Sequence, residues 1–137
     1  MKILIAEDEP WIIEQYKAYL ESKGHEVLLT KDGERCLQFY TASLPNSPKP
    51  ARATPPPFDV VILDVRMPKI GGVEVAQEML AMCPKQKIII ATAYGNEATK
   101  GLVEHLGENV EVLIKPFDLD ELVALLDKPG HKSMPFL

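Results

Sequence analysis

The residues of this sequence that could do chemistry together are polar groups that each end or follow a short apolar run. They comprise two adjacent acids, Glu7 and Asp8, a third acid, Asp64, a hydroxyl group on Thr92 and an amine on Lys115. Each one alone could be a turn or capping residue, as Asp64 after a strand often is. Their shared position at the ends of apolar runs favours one common site instead.

The chemistry of this set is that of phosphoryl transfer. Three carboxylates that lie close together raise each other's proton affinity unless a positive charge joins them. Oxygen ligands favour Mg²⁺ over zinc, for which the sequence has no cluster of His and Cys. With Mg²⁺, a lysine and a hydroxyl group beside it, one free carboxylate can act as a nucleophile and form an aspartyl phosphate. The first acidic turn lacks a glycine-rich loop, which disfavours a nucleotide or flavin site.

Five apolar runs predict short buried strands, because each is too short for a helix and rich in aliphatic residues. A helical or capping pattern follows each run, and the last helix begins with a capping-box pattern of Asp118 and Glu121 and a hydrophobic staple of Phe117 and Leu122. The predicted strands cover 2–6, 25–30, 60–63, 87–91 and 110–114, and the predicted helices cover 10–23, 33–43, 72–83, 97–106 and 118–127.

This alternation predicts an α/β fold of parallel βαβ units, with helices on both faces of the sheet. In such a sheet the ligands bind beyond the carboxyl ends of the strands, near the point where the strand order reverses. All five polar residues lie at those ends. The fold would therefore bring them to one edge of the sheet.

Length and composition limit the class of protein. The 137 residues fit one domain that can bury a core without disulfide bonds, and Cys36 and Cys83 are expected to be small buried hydrophobic residues. A net charge of −5 argues against a nucleic-acid surface, which normally needs clustered Lys and Arg. No apolar run reaches membrane-spanning length, and the acids at 7–9 come too early for a signal peptide. We therefore expect a cytoplasmic protein whose partners are proteins or small ions.

Residues 44–57 carry six of the twelve prolines and show no hydrophobic period. We interpret this stretch as a stiff, extended surface insertion within one domain at 1–127. A recognition segment for an aromatic groove is the alternative interpretation. Residues 128–137 are expected to form a flexible tail.

Four short motifs make the sequence resemble the receiver domains of two-component response regulators, of the chemotaxis-regulator type. They are ILIAEDEP at 3–10, LDVRMP at 63–68, TAYG at 92–95 and KPF at 115–117. The resemblance runs from residue 2 to about residue 127. It implies a flavodoxin-like, doubly wound sheet of five parallel strands in the order 2-1-3-4-5, with five helices.

The resemblance also implies a role for each site residue. Asp64 would be the phosphoacceptor, and Thr92 would bind a phosphoryl oxygen. Lys115 would pair with the phosphoryl group, and its bond to Pro116 would be cis. The Mg²⁺ ligands would be Glu7 through water, Asp8, Asp64 and the backbone carbonyl of Arg66.

The implied donor is a phosphohistidine on a sensor histidine kinase or a phosphotransfer protein, and the implied output is a changed affinity for a downstream protein target. Such a domain assists its own phosphorylation and dephosphorylation without being an enzyme in the ordinary sense. We expect no nucleic-acid binding through this domain and no membrane contact. A receiver-like interaction module that works without phosphorylation is the alternative. A haloacid-dehalogenase-type phosphatase would need a second acid two residues after the nucleophile, where this chain has Arg66.

Two features depart from the family pattern. The position three before Lys115 often carries an aromatic switch residue in the family but is Val112 here, so ring rotation cannot carry the signal at that position. The proline-rich insertion is longer than the family usually carries. Arg66 and Tyr94 occupy the positions that tune the lifetime of the phosphoryl group in the family.

Overall fold

The fold is a parallel sheet of five strands that alternate with five helices. The computed structural model describes residues 1–45, 50, 53–67, 69–93, 97–116 and 118–127, with the backbone alone at 97–100. Within these residues the strands are β1 (Lys2–Ala6), β2 (Glu26–Thr30), β3 (Val60–Asp64), β4 (Ile88–Thr92) and β5 (Val110–Ile114). The helices are α1 (Pro10–Ser22), α2 (Gly33–Ala42), α3 (Gly72–Met82), α4 (Glu97–Glu104) and α5 (Leu119–Asp127).

The strand order is β2-β1-β3-β4-β5, which confirms the predicted doubly wound, flavodoxin-like topology. The chain goes from β1 outward to β2, and then returns to place β3, β4 and β5 on the other side of β1. The order therefore reverses between β1 and β3. Their carboxyl ends flank the crevice where ligands bind in folds of this kind.

Two apolar cores cover the two faces of the sheet, and side chains alternate between them along the strands. Ile3 and Ile5 of β1 pack with residues of α1 and α5, whereas Leu4 and Ala6 pack with residues of α2 and α3. Because both faces are covered, the central strands are apolar except at their ends, where Lys2, Asp64 and Thr92 lie. Cys36 and Cys83 are free and buried in one of these cores, as predicted.

The loop between β3 and α3 packs against backbone on two sides. A side chain at Gly72 would overlap the carbonyl oxygen of Asp64, and one at Gly33 would overlap that of Ile70. The N–H of Gly72 donates to the carbonyl oxygen of Val65 at 3.0 Å, which closes the loop. The glycines thus let α2 and α3 hold the segment that follows Asp64.

Two of the described helices begin with a side-chain cap. Asp32 caps α2 by accepting from the N–H of Arg35 at 2.8 Å, and Asp118 accepts from the N–H of Glu121 at 2.9 Å, as the predicted capping box requires. The predicted staple involves Phe117, which lies outside the described residues. β2 and β4 begin one residue later than predicted, and α4 ends two residues earlier.

A buried amide lies near the amino ends of the strands, opposite to the end of the sheet that carries the five polar residues. The side chain of Gln86 accepts from the Tyr40 hydroxyl group at 2.8 Å and donates to the Phe58 carbonyl oxygen at 3.0 Å. The thiol of Cys83 donates to the carbonyl oxygen of Thr54 at 3.2 Å. The end of the proline-rich segment is therefore tied to the turn before β4.

Two of the longer predicted segments lie wholly or partly outside the described part of the chain. They are the C-terminal tail at 128–137 and most of the middle of the insertion, at 46–49, 51 and 52. None of the described helices has the length and hydropathy needed to cross a bilayer.

Candidate functional site

The register of the central strands brings two of the acids together. Ala6 of β1 pairs with Leu63 of β3. Glu7 and Asp64 are the next residues along the chain, so they lie side by side. Asp8 follows at the start of the β1–α1 turn. The three acids therefore meet where the strand order reverses.

The second pair of strands brings the lysine and the hydroxyl group to the same edge. Thr92 pairs with Ile114, and the backbone N–H of Lys115 donates to the carbonyl oxygen of Thr92 at 2.7 Å. The bond between Lys115 and Pro116 is cis, as the resemblance implied. All five predicted residues thus lie at the carboxyl edge of the sheet.

The Lys115 ammonium group lies between two of the acids. Its Nζ is 3.0 Å from Glu7 Oε1 and 3.5 Å from Asp64 Oδ2. Burial alone would lower the pKa of Lys115, but its hydrogen bond to Glu7 and the charges of Glu7 and Asp64 outweigh burial, so the pKa is raised. The lysine therefore stays charged and supplies the positive point that the acids require.

Glu7 is almost fully buried, with 1% of its surface exposed. Its Oε2 accepts from the backbone N–H groups of Asp8 and Glu9 at 3.1 and 3.3 Å. The pKa of Glu7 is raised to about 7, because burial and the charge of Asp64 raise it by more than the hydrogen bond and the charge of Lys115 lower it. Glu7 therefore titrates near neutral pH.

The three acids can hold a metal ion. Glu7, Asp8 and Asp64 each offer an oxygen atom, and these atoms lie within 4.8 Å of one another. When all are ionised, the three carboxylates carry more negative charge than the Lys115 ammonium group can balance. Hard oxygen donors and that excess fit Mg²⁺, which keeps several waters and needs few protein ligands.

Thr92 and Arg66 complete the surroundings of Asp64. Thr92 is buried, with 1% of its surface exposed, at the end of β4. The backbone N–H of Arg66 donates to Asp64 Oδ1 at 3.4 Å, and the Arg66 side chain is exposed. Tyr94, the other residue assigned to phosphoryl lifetime, lies outside the described residues, as does Pro68 of the second motif.

A cavity of about 670 Å³ opens over these residues and contains two aromatic residues that the sequence did not assign to the site. Trp11 and Tyr16 of α1 line it together with Asp64 and Lys115. Burial raises the pKa of Tyr16, and the charges of Glu7 and Asp64 raise it further. One feature of the sequence could have placed Trp11 at the site. It comes directly after Pro10, at the start of the helix that follows the acidic turn.

Val112 lies on β5, half-buried, against the core between the sheet and α4. The next exposed apolar side chains on this side are Leu102 of α4 and Ile114 of β5, at 53% and 45% exposure. This part of the molecule thus presents aliphatic side chains, with Val112 at the position of the family's aromatic switch residue.

Comparison with curated proteins finds relatives that are named as transcriptional regulators. The chain is 32% identical over 124 residues to the transcriptional regulatory protein DltR of Streptococcus agalactiae. It is also 32% identical over 123 residues to the alkaline phosphatase synthesis transcriptional regulatory protein PhoP of Bacillus subtilis. Each alignment covers 90% of this chain, but only 49% and 45% of the relatives. The chain therefore spans about half the length of the curated relatives that it matches.

Solved structures of receiver domains superpose on this fold. A response regulator receiver domain protein from Clostridium thermocellum has a TM-score of 0.75 at 31% identity, covering 92% of this chain and 90% of that one. The response regulator protein TrrA of Thermotoga maritima, solved in complex with Mg(2+)-BeF, has a TM-score of 0.67 at 32% identity, covering 91% and 97%. The Vibrio cholerae chemotaxis protein CheY4 shares the fold, with a TM-score of 0.74 at 24% identity, covering 91% and 94%.

The family comparison covers nearly the whole described chain. The model of the response regulator receiver domain family matches residues 3–127. That range contains the acidic turn, the end of β3, the end of β4 and the cis bond after Lys115. The chain therefore belongs to the response regulator receiver domain family.

Proposed function

We propose that this receiver is switched by phosphorylation of Asp64, with the phosphoryl group coming from a phosphohistidine on a sensor histidine kinase or a phosphotransfer protein. The observation that supports this most is the position of the Lys115 ammonium group, 3.5 Å from Asp64 Oδ2 and 3.0 Å from Glu7 Oε1. A cation held beside one accessible carboxylate and one buried carboxylate is suited to receive a transferred anionic group.

In the proposed reaction, a carboxylate oxygen of Asp64 attacks the phosphorus atom. The new bond joins that oxygen to phosphorus, and the bond from phosphorus to the donor nitrogen breaks, with its electron pair staying on the nitrogen. Lys115 then pairs with the phosphoryl oxygens. The Thr92 hydroxyl group, on the neighbouring strand end, donates to one of them. The group stays on Asp64 until the domain assists its hydrolysis, so the domain acts as a regulatory phosphoacceptor.

We also propose that the site binds Mg²⁺ through three direct oxygen donors, which are Asp8, Asp64 and the backbone carbonyl of Arg66, and through water by Glu7. The three carboxylates are close enough together to share one ion. When bound, Mg²⁺ supplies positive charge that offsets the charge of the phosphoryl oxygens. The protein groups do the positioning, since Glu7 is fixed by two backbone N–H groups and by Lys115.

The proposed output is a change of protein contacts on the face formed by α4, β5 and α5. Thr92 and the loop after it would move toward the added charge, and β5 pairs directly with the strand that ends on Thr92. Leu102 and Ile114 are the exposed apolar residues that such a face offers. The downstream target would be a protein, and phosphorylation would change the affinity for it.

Labelling with a small phosphodonor tests the proposed reaction. Incubation with acetyl phosphate and Mg²⁺ should add one phosphoryl group to the wild-type chain, measured by intact mass. Asp64→Asn should abolish the addition, because the amide cannot act as the nucleophile. Asp59→Asn is the matched control, since Asp59 precedes the amino end of the same strand and is exposed.

Two results would overturn the proposal. One is labelling that survives in Asp64→Asn. The other is no labelling of the wild-type chain by acetyl phosphate or by a phosphohistidine donor. The second result would favour an interaction module that binds its partners without phosphorylation.

A further inference from the structure

Trp11 is exposed and yet held in place. It is the only tryptophan of the chain, and 60% of its surface is accessible on the first turn of α1. Its indole N–H donates to Glu9 Oε2 at 2.9 Å. A large aromatic side chain that is exposed but fixed by a hydrogen bond is suited to contact a ligand, because little conformational entropy is lost when the ligand binds.

The space beside Trp11 is continuous with the acidic site. One cavity of about 670 Å³ is lined by the ionic side chains of Asp64 and Lys115 and also by the apolar side chains of Trp11, Ile12 and Leu119. A molecule that reacts with Asp64 from this cavity therefore has an apolar wall available for the part that is not transferred.

We propose that Trp11 and Glu9 form a subsite for the ring of the phosphodonor, and that this ring is an imidazole that carries the phosphoryl group on one nitrogen and a proton on the other, so that it is cationic until the transfer. This inference rests on the proposed phosphorylation of Asp64. A flat cationic ring can stack on the indole face, where it gains a cation–π interaction. The Glu9 carboxylate, already fixed at the indole N–H, supplies the opposite charge.

The charge beside Trp11 argues for this ring over an anionic group. Glu9 lines the cavity and accepts from the Trp11 indole N–H, and within the described residues its carboxylate forms no ion pair with a cationic side chain. A donor with several phosphates beside Trp11 would be repelled by Glu9, whereas the protonated ring of a phosphoimidazole is attracted to it. The aromatic wall adds selectivity for a ring over a small acyl group.

The chemical step balances with this leaving group. The donor carries the phosphoryl group on one ring nitrogen and a proton on the other. The Asp64 oxygen forms a bond to phosphorus, and the phosphorus–nitrogen bond breaks, leaving its electron pair on the ring. The product is a neutral imidazole that keeps its single proton, so no further base or acid is needed.

Two small donors with the same type of bond test the subsite. Phosphoimidazole and phosphoramidate both transfer from nitrogen, but only phosphoimidazole has a ring. The measured quantity is the ratio of their rate constants for labelling the full chain in Mg²⁺. We expect this ratio to fall about fivefold in Trp11→Ala, and less in Trp11→Phe, which keeps an aromatic face. Phe39→Ala is the matched control, because Phe39 is an exposed aromatic residue on α2, at 49% exposure, and does not line the cavity.

A charge variant separates ring stacking from cation recognition. Glu9→Gln keeps an acceptor for the indole N–H but removes the negative charge, so the ratio should fall there too, by about twofold or more. The Trp11 indole resonance in NMR should also shift on addition of imidazole at acidic pH, without any phosphoryl transfer.

The outcomes distinguish this inference from the proposed function. If wild-type chain is labelled by both donors and the ratio is the same in Trp11→Ala, the subsite is wrong while phosphorylation of Asp64 stands. If neither donor labels the wild-type chain, the proposed function fails and the subsite fails with it. If the ratio of rate constants falls equally in Phe39→Ala, the fall does not depend on the cavity, and the subsite is wrong in that case too.

Discussion

Glu7 is the residue at which burial and charge oppose each other most in this site. Its carboxyl group is buried, it accepts from two backbone N–H groups, and it pairs with Lys115. The effect of burial on the pKa is larger than that of Lys115, and the pKa of Glu7 is raised to about 7. The site therefore couples the stability of the fold to pH near neutrality.

The first prediction concerns that coupling, measured in EDTA. The native chain binds a proton at Glu7 up to about pH 7, whereas in the unfolded chain a glutamate, with its ordinary pKa of 4.5, loses it at lower pH. The native state thus binds more protons in that window, and the free energy of unfolding should fall as pH rises through it. Glu7→Gln should remove this fall, measured by urea denaturation at several pH values.

Glu9→Gln is the control for this prediction, because Glu9 is an exposed acid two residues further on. It should keep the pH dependence of the wild-type chain. Identical slopes in wild type and Glu7→Gln would contradict the assignment of a raised pKa to Glu7.

The second prediction concerns the metal. Asp8→Asn should weaken Mg²⁺ binding by about tenfold or more, because it removes one of three oxygen donors and one negative charge. Calorimetric titration of each variant with Mg²⁺ measures this. Asp59→Asn should bind as wild type does, since Asp59 is exposed and precedes the opposite end of β3. Equal affinities in the two variants would exclude Asp8 as a ligand.

The sequence was sufficient to predict which polar residues lie together at the site. It did not predict all of the residues that surround them. Glu7, Asp64 and Lys115 could be predicted because each ends a parallel strand, and the ends of such strands meet at one edge. Trp11 and Tyr16 were not assigned to the site, because helical spacing separates buried from exposed faces without saying which cavity an aromatic ring lines.

At the scale of elements, the loop between β3 and α3 is positioned by two helices. Gly72 of α3 lets the helix start against the backbone of Asp64, and Gly33 of α2 lets the helix approach Ile70. The same loop carries Arg66, whose N–H lies 3.4 Å from Asp64 Oδ1. A helix that does not itself contribute a site residue thus fixes part of the site.

The third prediction is a substitution at that contact. Gly33→Ala places a methyl group into the backbone of Ile70, so the loop must shift. We expect a loss of about 1–3 kcal/mol in the free energy of unfolding and weaker Mg²⁺ binding. Gly101→Ala is the control, because nothing lies within 4 Å of the added carbon and alanine is the better helix former. Wild-type Mg²⁺ affinity in Gly33→Ala would contradict the positioning role.

The order and type of every element could be predicted from alternating apolar runs and helical patterns, with boundaries close to those observed. The contact between Gly33 and Ile70 could not, because it joins residues far apart in sequence. The backbone of Lys69, with φ of 73°, is a second feature without a local signal, since a lysine gives no indication of a left-handed conformation. Tertiary packing decides both.

At the scale of the whole molecule, the question is how a change at Asp64 reaches a partner. Val112 is aliphatic, so an aromatic ring cannot switch between buried and exposed positions there. β5 remains the element that links the site to the exposed surface, because Lys115 follows it and Ile114 is 45% exposed on it. We therefore expect the response to travel through strand and loop movement.

The fourth prediction maps that response. Beryllofluoride with Mg²⁺ imitates a phosphoryl group, and it should shift backbone NMR resonances on β5 and at 101–104 of α4 more than those on β2 and α2. The physical reason is that β5 pairs with the strand that ends on Thr92, whereas β2 lies at the far edge. Shifts confined to the residues around Asp64, or equal shifts on both edges, would contradict it. Asp64→Asn is the control and should show no such shifts.

Phosphorylation of Asp64 is tested most directly by locating the phosphoryl group on the chain. After labelling with acetyl phosphate and Mg²⁺, reduction with borohydride converts an aspartyl phosphate into homoserine, which mass spectrometry of peptides identifies by position. We predict homoserine at position 64 and unchanged aspartate at positions 8 and 59. Homoserine at either of those positions, or none at position 64 in labelled protein, would contradict the account.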